Sequence, residues 1–205
     1  MSETSYAMFS DLDGTLIFSA AKRLPGDVLV ELRGGEEISC VTSRQAELLP
    51  GLEVIPVTTR SIEQYRRIAI PGFSPEFAIV DNGGTLLVNG IPDPEWSQRS
   101  RECALSCAVE LAECRRILEL DVHRSFEIRM VDGLFLFTKS DRPEQTLEVM
   151  RAAAGNAVNC WSTGQKVYAI PAGICKGRAV RRLAERIFPG RKLVCRRQPY
   201  GYPYA

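Results

Sequence analysis

Apolar positions along this chain fall into short runs that end in polar turns. Residues 6–10, YAMFS, form one such run, and it stops at Asp11. A run of this length bounded by turn residues reads as a buried strand with a loop at its carboxyl end. Residues 27–32 (DVLVEL) and 37–42 (EISCVT) flank Arg33-Gly34-Gly35-Glu36 and read as two extended arms around a turn. Ser43 to Leu49 reads as a short helix capped by Ser43. Residues 53–58, EVIPVT, form a second apolar run, after which Ser61 opens the helix SIEQYRRIAI. Residues 77–81, FAIVD, make a third, stopped by Asn82-Gly83-Gly84. Strands that alternate with helices or crossovers predict an α/β fold around a parallel, Rossmann-like sheet.

The pattern changes after about residue 86. The spacing predicts one long helix over residues 95–120, then strands at 124–131 and 134–139 joined by the hairpin turn Asp132-Gly133. A helix at 143–154 follows, then strands at 157–162 and 166–171 joined at Thr163-Gly164. The order helix, strand, strand, helix, strand, strand describes a small α+β insert. Pro171-Ala172-Gly173 leads back, Lys176 to Ile187 reads as a basic helix, and Lys192 to Cys195 starts a last strand. The predicted division is a core of residues 1–85 and 166–205 around an inserted unit of residues 86–165.

Bulk composition narrows the partners. The 205 residues carry a formal net charge of +1, so no global field draws nucleic acid or an acidic membrane. Affinity for an anionic ligand has to come from a local site. No run of about 18 apolar residues is present to span a bilayer, and MSETSYAMFSDLDG lacks a basic region followed by a long apolar stretch, so it does not read as a secretory signal. The seven cysteines are odd in number and show no C-x-x-C spacing; Cys103, Cys107 and Cys114 instead fit one helix face. Reduced thiols and a cytoplasmic protein are the expectation.

The chemistry concentrates in residues 9–17, FSDLDGTLI. An apolar strand delivers Asp11, Asp13 follows two residues on, Gly14 permits a tight turn and Thr15 can bond the loop. Two carboxylates so placed can divide a phosphoryl transfer, one attacking phosphorus and the other handling the proton of the leaving oxygen and then of water. Thr58 closes the run VIPVTTRS at a strand's carboxyl edge, where ligands of open α/β sheets bind, and its hydroxyl and the following N–H groups can take a phosphate oxygen. Arg60 follows. Lys176 opens a helix just after a strand and the Pro-Ala-Gly turn, placing a fixed ammonium where it can offset substrate charge. Asn82 can bond substrate or orient the nucleophile loop, and can equally be a left-handed turn residue.

The string DLDGTL resembles the first motif of the haloacid dehalogenase (HAD) superfamily. The resemblance implies that Asp11 is the nucleophile, Asp13 the general acid/base and Mg²⁺ the cofactor. It also implies that the metal is held by the Asp11 side chain and the Asp13 backbone carbonyl, with a further acidic ligand from a later motif. VTTRS is similar to the second motif, often T-G-R, with Thr59 in place of the glycine; Arg60 matches the family arginine. PAGICK resembles the third motif, with Lys176 as the cation. The insert lies where a C2-type cap belongs, and its order is closest to the sucrose-phosphate phosphatase and Cof-like group. The implied activity is hydrolysis of a small phosphorylated metabolite, such as a sugar phosphate, through an aspartyl-phosphate. A non-catalytic phosphometabolite-binding module and a phosphomutase or phosphotransferase are the alternatives.

The pattern breaks after Cys195. The family plan calls for a strand running into G-D and a further Asp, whereas RRQPYGYPYA follows, and no acidic residue lies beyond Glu185. A core that stops short of its fourth motif, impaired activity and weak Mg²⁺ binding are therefore expected. Codons can be chosen for this tail such that a one-base shift reads AGSRTDIPM, similar to A-G-D-S-x-x-D-x-x-M; the expectation is a frameshift near Cys195.

Overall fold

The computed structural model describes residues 6–196. The tail on which the expected frameshift and fourth motif rest lies, from residue 197 on, outside the described residues. The chain divides into two compact units, Met1–Asp93 with Cys175–Ala205, and Pro94–Ile174.

The first unit begins with β1 (Tyr6–Asp11), β2 (Phe18–Ser19), β3 (Val28–Arg33) and β4 (Glu36–Val41). It continues through α1 (Ser43–Leu48), β5 (Val54–Val57), α2 (Ile62–Arg66), β6 (Phe77–Val80), β7 (Thr85–Val88) and β8 (Ile91–Pro92). The second unit comprises α3 (Pro94–Ser106), α4 (Ala108–Leu120), β9 (Arg129–Val131), β10 (Phe135–Lys139), α5 (Pro143–Ala154), β11 (Val158–Thr163) and β12 (Lys166–Pro171). Returning to the first unit, the chain adds α6 (Lys176–Ile187) and β13 (Lys192–Arg196).

The main sheet has the order β13-β1-β5-β6-β7-β8. The four strands from β13 to β6 are parallel, and β7 and β8 extend the sheet antiparallel. Fully apolar strands such as Val54–Val57 are buried along their whole length, as a sheet covered on both faces requires. The helix α6 turns Gly177, Ala179, Val180, Leu183 and Ala184 inward, a stripe at helical spacing, and leaves its arginines outside. A separate three-stranded sheet, β2-β4-β3, holds the hairpin around Gly34-Gly35, both of positive φ. With the loop after β1 it buries Leu12, Leu16, Ile17, Val30 and Val41 in one cluster.

The second unit is a four-stranded sheet, β11-β12-β10-β9, antiparallel at every pairing. On one face Leu136, Val158, Cys160, Val167 and Ala169 pack with Leu111, Cys114 and Leu118 of α4 and with Leu147, Met150 and Ala154 of α5. The other face puts Phe135, Tyr168 and Ile170 with Ala104 and Ile174. Trp161 stacks on Tyr168 at 4.3 Å, and Trp96 is buried.

Several elements differ from the sequence reading. The helix after Thr42 is capped by Thr42, not Ser43, because Thr42 and Gln45 form a reciprocal capping box. Ser61 does cap α2, with Gln64, but α2 stops at Arg66: Ile68 bridges Glu31, and the Ala69 N–H donates to the Val30 carbonyl. Those bonds to the edge of β3 replace the next helical turn. The predicted helix 95–120 is two helices broken at Cys107, whose φ/ψ of −124°/30° is not helical. The strand predicted from 124 begins at Arg129. The division of the chain falls later than residues 86 and 165. Thr85–Val88 pairs with β6, and Lys166–Pro171 completes the sheet of the second unit, so backbone pairing carries the boundaries to Asp93/Pro94 and Ile174/Cys175.

Candidate active site

Parallel register aligns the carboxyl ends of three strands. Asp11 stands opposite Val57, and Val57 opposite Ile79. One or two residues beyond lie Thr58 and the turn Asp81–Gly83, so the loops that leave these strands share one edge of the sheet. That edge is where an open α/β sheet exposes unpaired backbone groups and receives ligands.

The loop after β1 is held from inside. Leu12, Leu16 and Ile17 are buried while the Asp13 side chain is half exposed. The N–H groups of Leu16 and Ile17 both donate to the Leu12 carbonyl, and Gly14, at φ 69°, closes the turn by donating to Ile17. Apolar anchoring of Leu12 between two aspartates leaves the Asp13 carboxylate half exposed.

Asp11 Oδ1 accepts from the Leu12 N–H at 2.9 Å and from Lys176 Nζ at 2.8 Å. Both side chains of this ion pair are mostly buried, with 16% and 18% exposure, which strengthens their attraction relative to bulk water. Lys176 is the first residue of α6. The helix is seated by the turn Asp81–Gly83. A Cβ on Gly83, at φ +104°, would lie 2.8 Å from the Cys175 carbonyl oxygen and 2.9 Å from the Ala179 Cβ. Only glycine admits this approach, and the approach sets where Lys176 starts.

Thr58 is buried, and its hydroxyl accepts from the Arg60 N–H at 3.1 Å. The Thr58 N–H donates to Ile79, the Asn82 N–H to Thr58 and the Asp81 N–H to Arg60. Asn82, at φ 57° and ψ 23°, occupies the left-handed turn position that was one of its two expected roles. Its backbone ties the third strand's turn to the second strand's end.

Arg60 does not stand open toward a ligand. Its Nε and Nη2 edge grips the Asp13 carboxylate at 2.7–3.2 Å, and its Nη1 donates to Glu31 at 2.8 Å. A planar guanidinium makes such two-sided contacts with fixed geometry. Glu31, whose side chain is fully buried, also accepts from Ser39 at 2.6 Å and from Arg67 at 3.3 Å. Burial pushes the Glu31 carboxyl up, and the Ser39 hydrogen bond with the Arg60 and Arg67 guanidiniums outweighs it, so the group lies below its ordinary value. Burial pulls Arg60 down, and Asp13 and Glu31 more than reverse that. Sequence reasoning did not single out Glu31, Ser39 or Arg67. A signal was present: a charged residue inside the apolar run VLVEL is seldom buried without a partner.

Asp11, Asp13 and Lys176 thus converge at one edge, together with the turns that carry Thr58, Arg60 and Asn82. For a Mg²⁺ ion, Asp11 and Asp13 are the residues that would supply oxygen ligands. Among the described residues no group of three His, Cys, Asp or Glu side chains gathers as a metal site.

The chain has the fold of the haloacid dehalogenase superfamily phosphatases, a parallel-dominated α/β sheet with a separate smaller sheet. It is similar to the sucrose-phosphatase of Synechocystis, solved with sucrose and phosphate, at TM-score 0.62 and 16% identity over 95% of this chain and 76% of that one. It is similar to a haloacid dehalogenase-like hydrolase of Bacteroides thetaiotaomicron at TM-score 0.53 and 14% identity, over 94% and 81%. The Plasmodium falciparum IMP-nucleotidase matches at TM-score 0.59 and 11% identity, over 98% of this chain and 62% of that chain. At these identities the likeness is one of fold. No protein-family model and no curated protein matches the sequence. No helix among the described residues is long and apolar enough to cross a membrane.

Proposed function

We propose that this chain is a phosphoric monoester hydrolase of the HAD type acting on a small phosphorylated metabolite. The observation that carries the reading is the 2.8 Å contact between Lys176 Nζ and Asp11 Oδ1, residues 165 positions apart in the chain. A nucleophile-bearing loop and a distant cation, each expected from its own motif, meet at one point of the sheet edge.

In this reading an Asp11 oxygen attacks phosphorus and the bond to the leaving oxygen breaks. Asp13 donates the proton that the leaving alkoxide takes up. Asp13 then removes a proton from water, whose oxygen attacks the aspartyl-phosphate, releasing phosphate and restoring Asp11. Lys176 offsets the negative charge of both nucleophile and phosphoryl group. The Thr58 hydroxyl and the Thr59 N–H are the proposed phosphate ligands, with Asn82 holding their loop. Arg60 is proposed to bear on substrate through Asp13. Asp11 and Asp13 would hold a Mg²⁺ ion, which when bound would offset charge on the phosphoryl oxygens. Pro94–Ile174 is the proposed cap, selecting the leaving group.

The test is hydrolysis of 4-nitrophenyl phosphate by the full chain with and without added Mg²⁺, beside Asp11→Asn. The expected result is phosphate release by the parent and none by Asp11→Asn, with unchanged circular dichroism. Activity of the variant within a few-fold of the parent removes Asp11 from the mechanism. Saturable binding of orthophosphate without turnover establishes a binding module instead, and transfer to an added alcohol in preference to water establishes a phosphotransferase.

A further inference from the structure

A chain of alternating charges runs from the site through the interior and back to the surface: Asp13, Arg60, Glu31, Arg67, Glu63. Its midpoint is a carboxylate with no exposure at all, on a strand that contributes no residue to the proposed chemistry. Strand alternation does not explain that burial. Val30 and Glu31 are consecutive and both buried, whereas neighbours on a regular strand face opposite ways. The pairing of β3 with β4 is irregular on both sides of Glu31, between Leu29 and Glu31 and again between Glu31 and Leu32. Such bulges re-aim side chains and concentrate beside active sites.

Burying an ionised carboxylate costs several kcal/mol unless charge and hydrogen bonds compensate it. Here a hydroxyl and two guanidiniums do so, and one of the guanidiniums is Arg60. Arg60 reaches Asp13 through its Nε and Nη2 edge while Nη1 is turned to Glu31. The guanidinium is rigid and planar, so holding Nη1 fixes the direction of the opposite edge. A surface arginine pairing with a half-exposed aspartate would otherwise sample several rotamers.

We infer that Glu31 is a positioning residue for the hydrolysis proposed above: anchored in the β3–β4 hairpin, it fixes Arg60, and Arg60 fixes the orientation of the Asp13 carboxylate. The inference rests on the reading of Asp13 as the acid/base. It deepens that reading by making the hairpin, which touches no reacting atom, a determinant of proton delivery.

The experiment uses leaving groups that differ in their need for a proton. The 4-nitrophenolate ion departs with little help, whereas phenolate requires more. Glu31→Gln is expected to lower kcat on phenyl phosphate by about 10–100-fold, part of the roughly 10²–10⁴-fold that general acid catalysis contributes, and kcat on 4-nitrophenyl phosphate by less than about three-fold. KM for both is expected to hold within about two-fold. Glu31→Asp, which keeps the charge, is expected to recover part of the loss. Should Glu31→Gln fail to fold, Arg60→Gln cuts the chain one link nearer the site and leaves Glu31 its Ser39 and Arg67 partners; the same selective loss is expected. Equal losses on the two esters, or none on either, overturn the positioning role while the parent's activity stands. A folded parent that hydrolyses neither ester overturns the phosphatase reading, and the role of Glu31 falls with it.

Discussion

Gly83→Ala isolates the contact that seats α6. The added methyl meets a backbone carbonyl at 2.8 Å and a helix Cβ at 2.9 Å, and neither is the end of a flexible side chain. Two costs add. Holding alanine at φ +104° stores about 1–3 kcal/mol of backbone strain, and forcing extra volume into a packed contact costs about 1–3 kcal/mol more. The sum, about 2–6 kcal/mol, is a large part of a typical folding stability of about 5–15 kcal/mol. For a chain of this size that corresponds to a fall in Tm of about 4–24 °C. Gly35→Ala is the control, because Gly35 also has positive φ, +87°, but nothing lies within 4 Å of its added Cβ. Melting both variants beside the parent by circular dichroism separates strain from crowding. Relief of the crowding moves the start of α6, and Lys176 with it, so Gly83→Ala is also expected to lose phosphate-ester hydrolysis beyond what Gly35→Ala loses. If the two variants melt within about 2 °C of each other, crowding contributes under about 1 kcal/mol and the seating argument is wrong.

Lys176→Met keeps the length of the side chain and removes its charge. Turnover of 4-nitrophenyl phosphate is expected to fall about 10²–10³-fold, and Tm is expected to fall as well, because removing one partner leaves the mostly buried Asp11 carboxylate uncompensated; a loss of turnover under about three-fold would sink the assigned role. The acid side of the stability curve tests Glu31. Its folded carboxyl lies below the ordinary 4.5, so its contribution is present above that pH and is lost as pH falls through the folded value. The parent's Tm should therefore drop more steeply than that of Glu31→Gln on acidification below pH 4.5, and parallel curves would contradict the linkage.

Much of this protein was legible along the chain because the information is local. YAMFSD ends a strand at Asp11, the residues Lys176–Ile187 carry a helical apolar stripe, and Asp132-Gly133 takes positive φ at both positions of its turn. Each depends on neighbours within a few residues. The same holds for the order of elements in the inserted unit. Boundaries were less legible, since a strand's membership of one sheet or another is decided by pairing, not by its own composition; Lys166–Pro171 has the same apolar character in either unit. The short α2 was settled in the same way. At Ile68 and Ala69, bonds to β3 competed with helix and won. The site divides along the same line. Asp11, Asp13 and Lys176 could be named from motif and spacing, but that Lys176 reaches Asp11 across 165 positions is a property of the folded sheet edge. The partners of Arg60 were beyond sequence reading, because a guanidinium's choice between substrate and carboxylate depends on where a bulge in another strand turns Glu31.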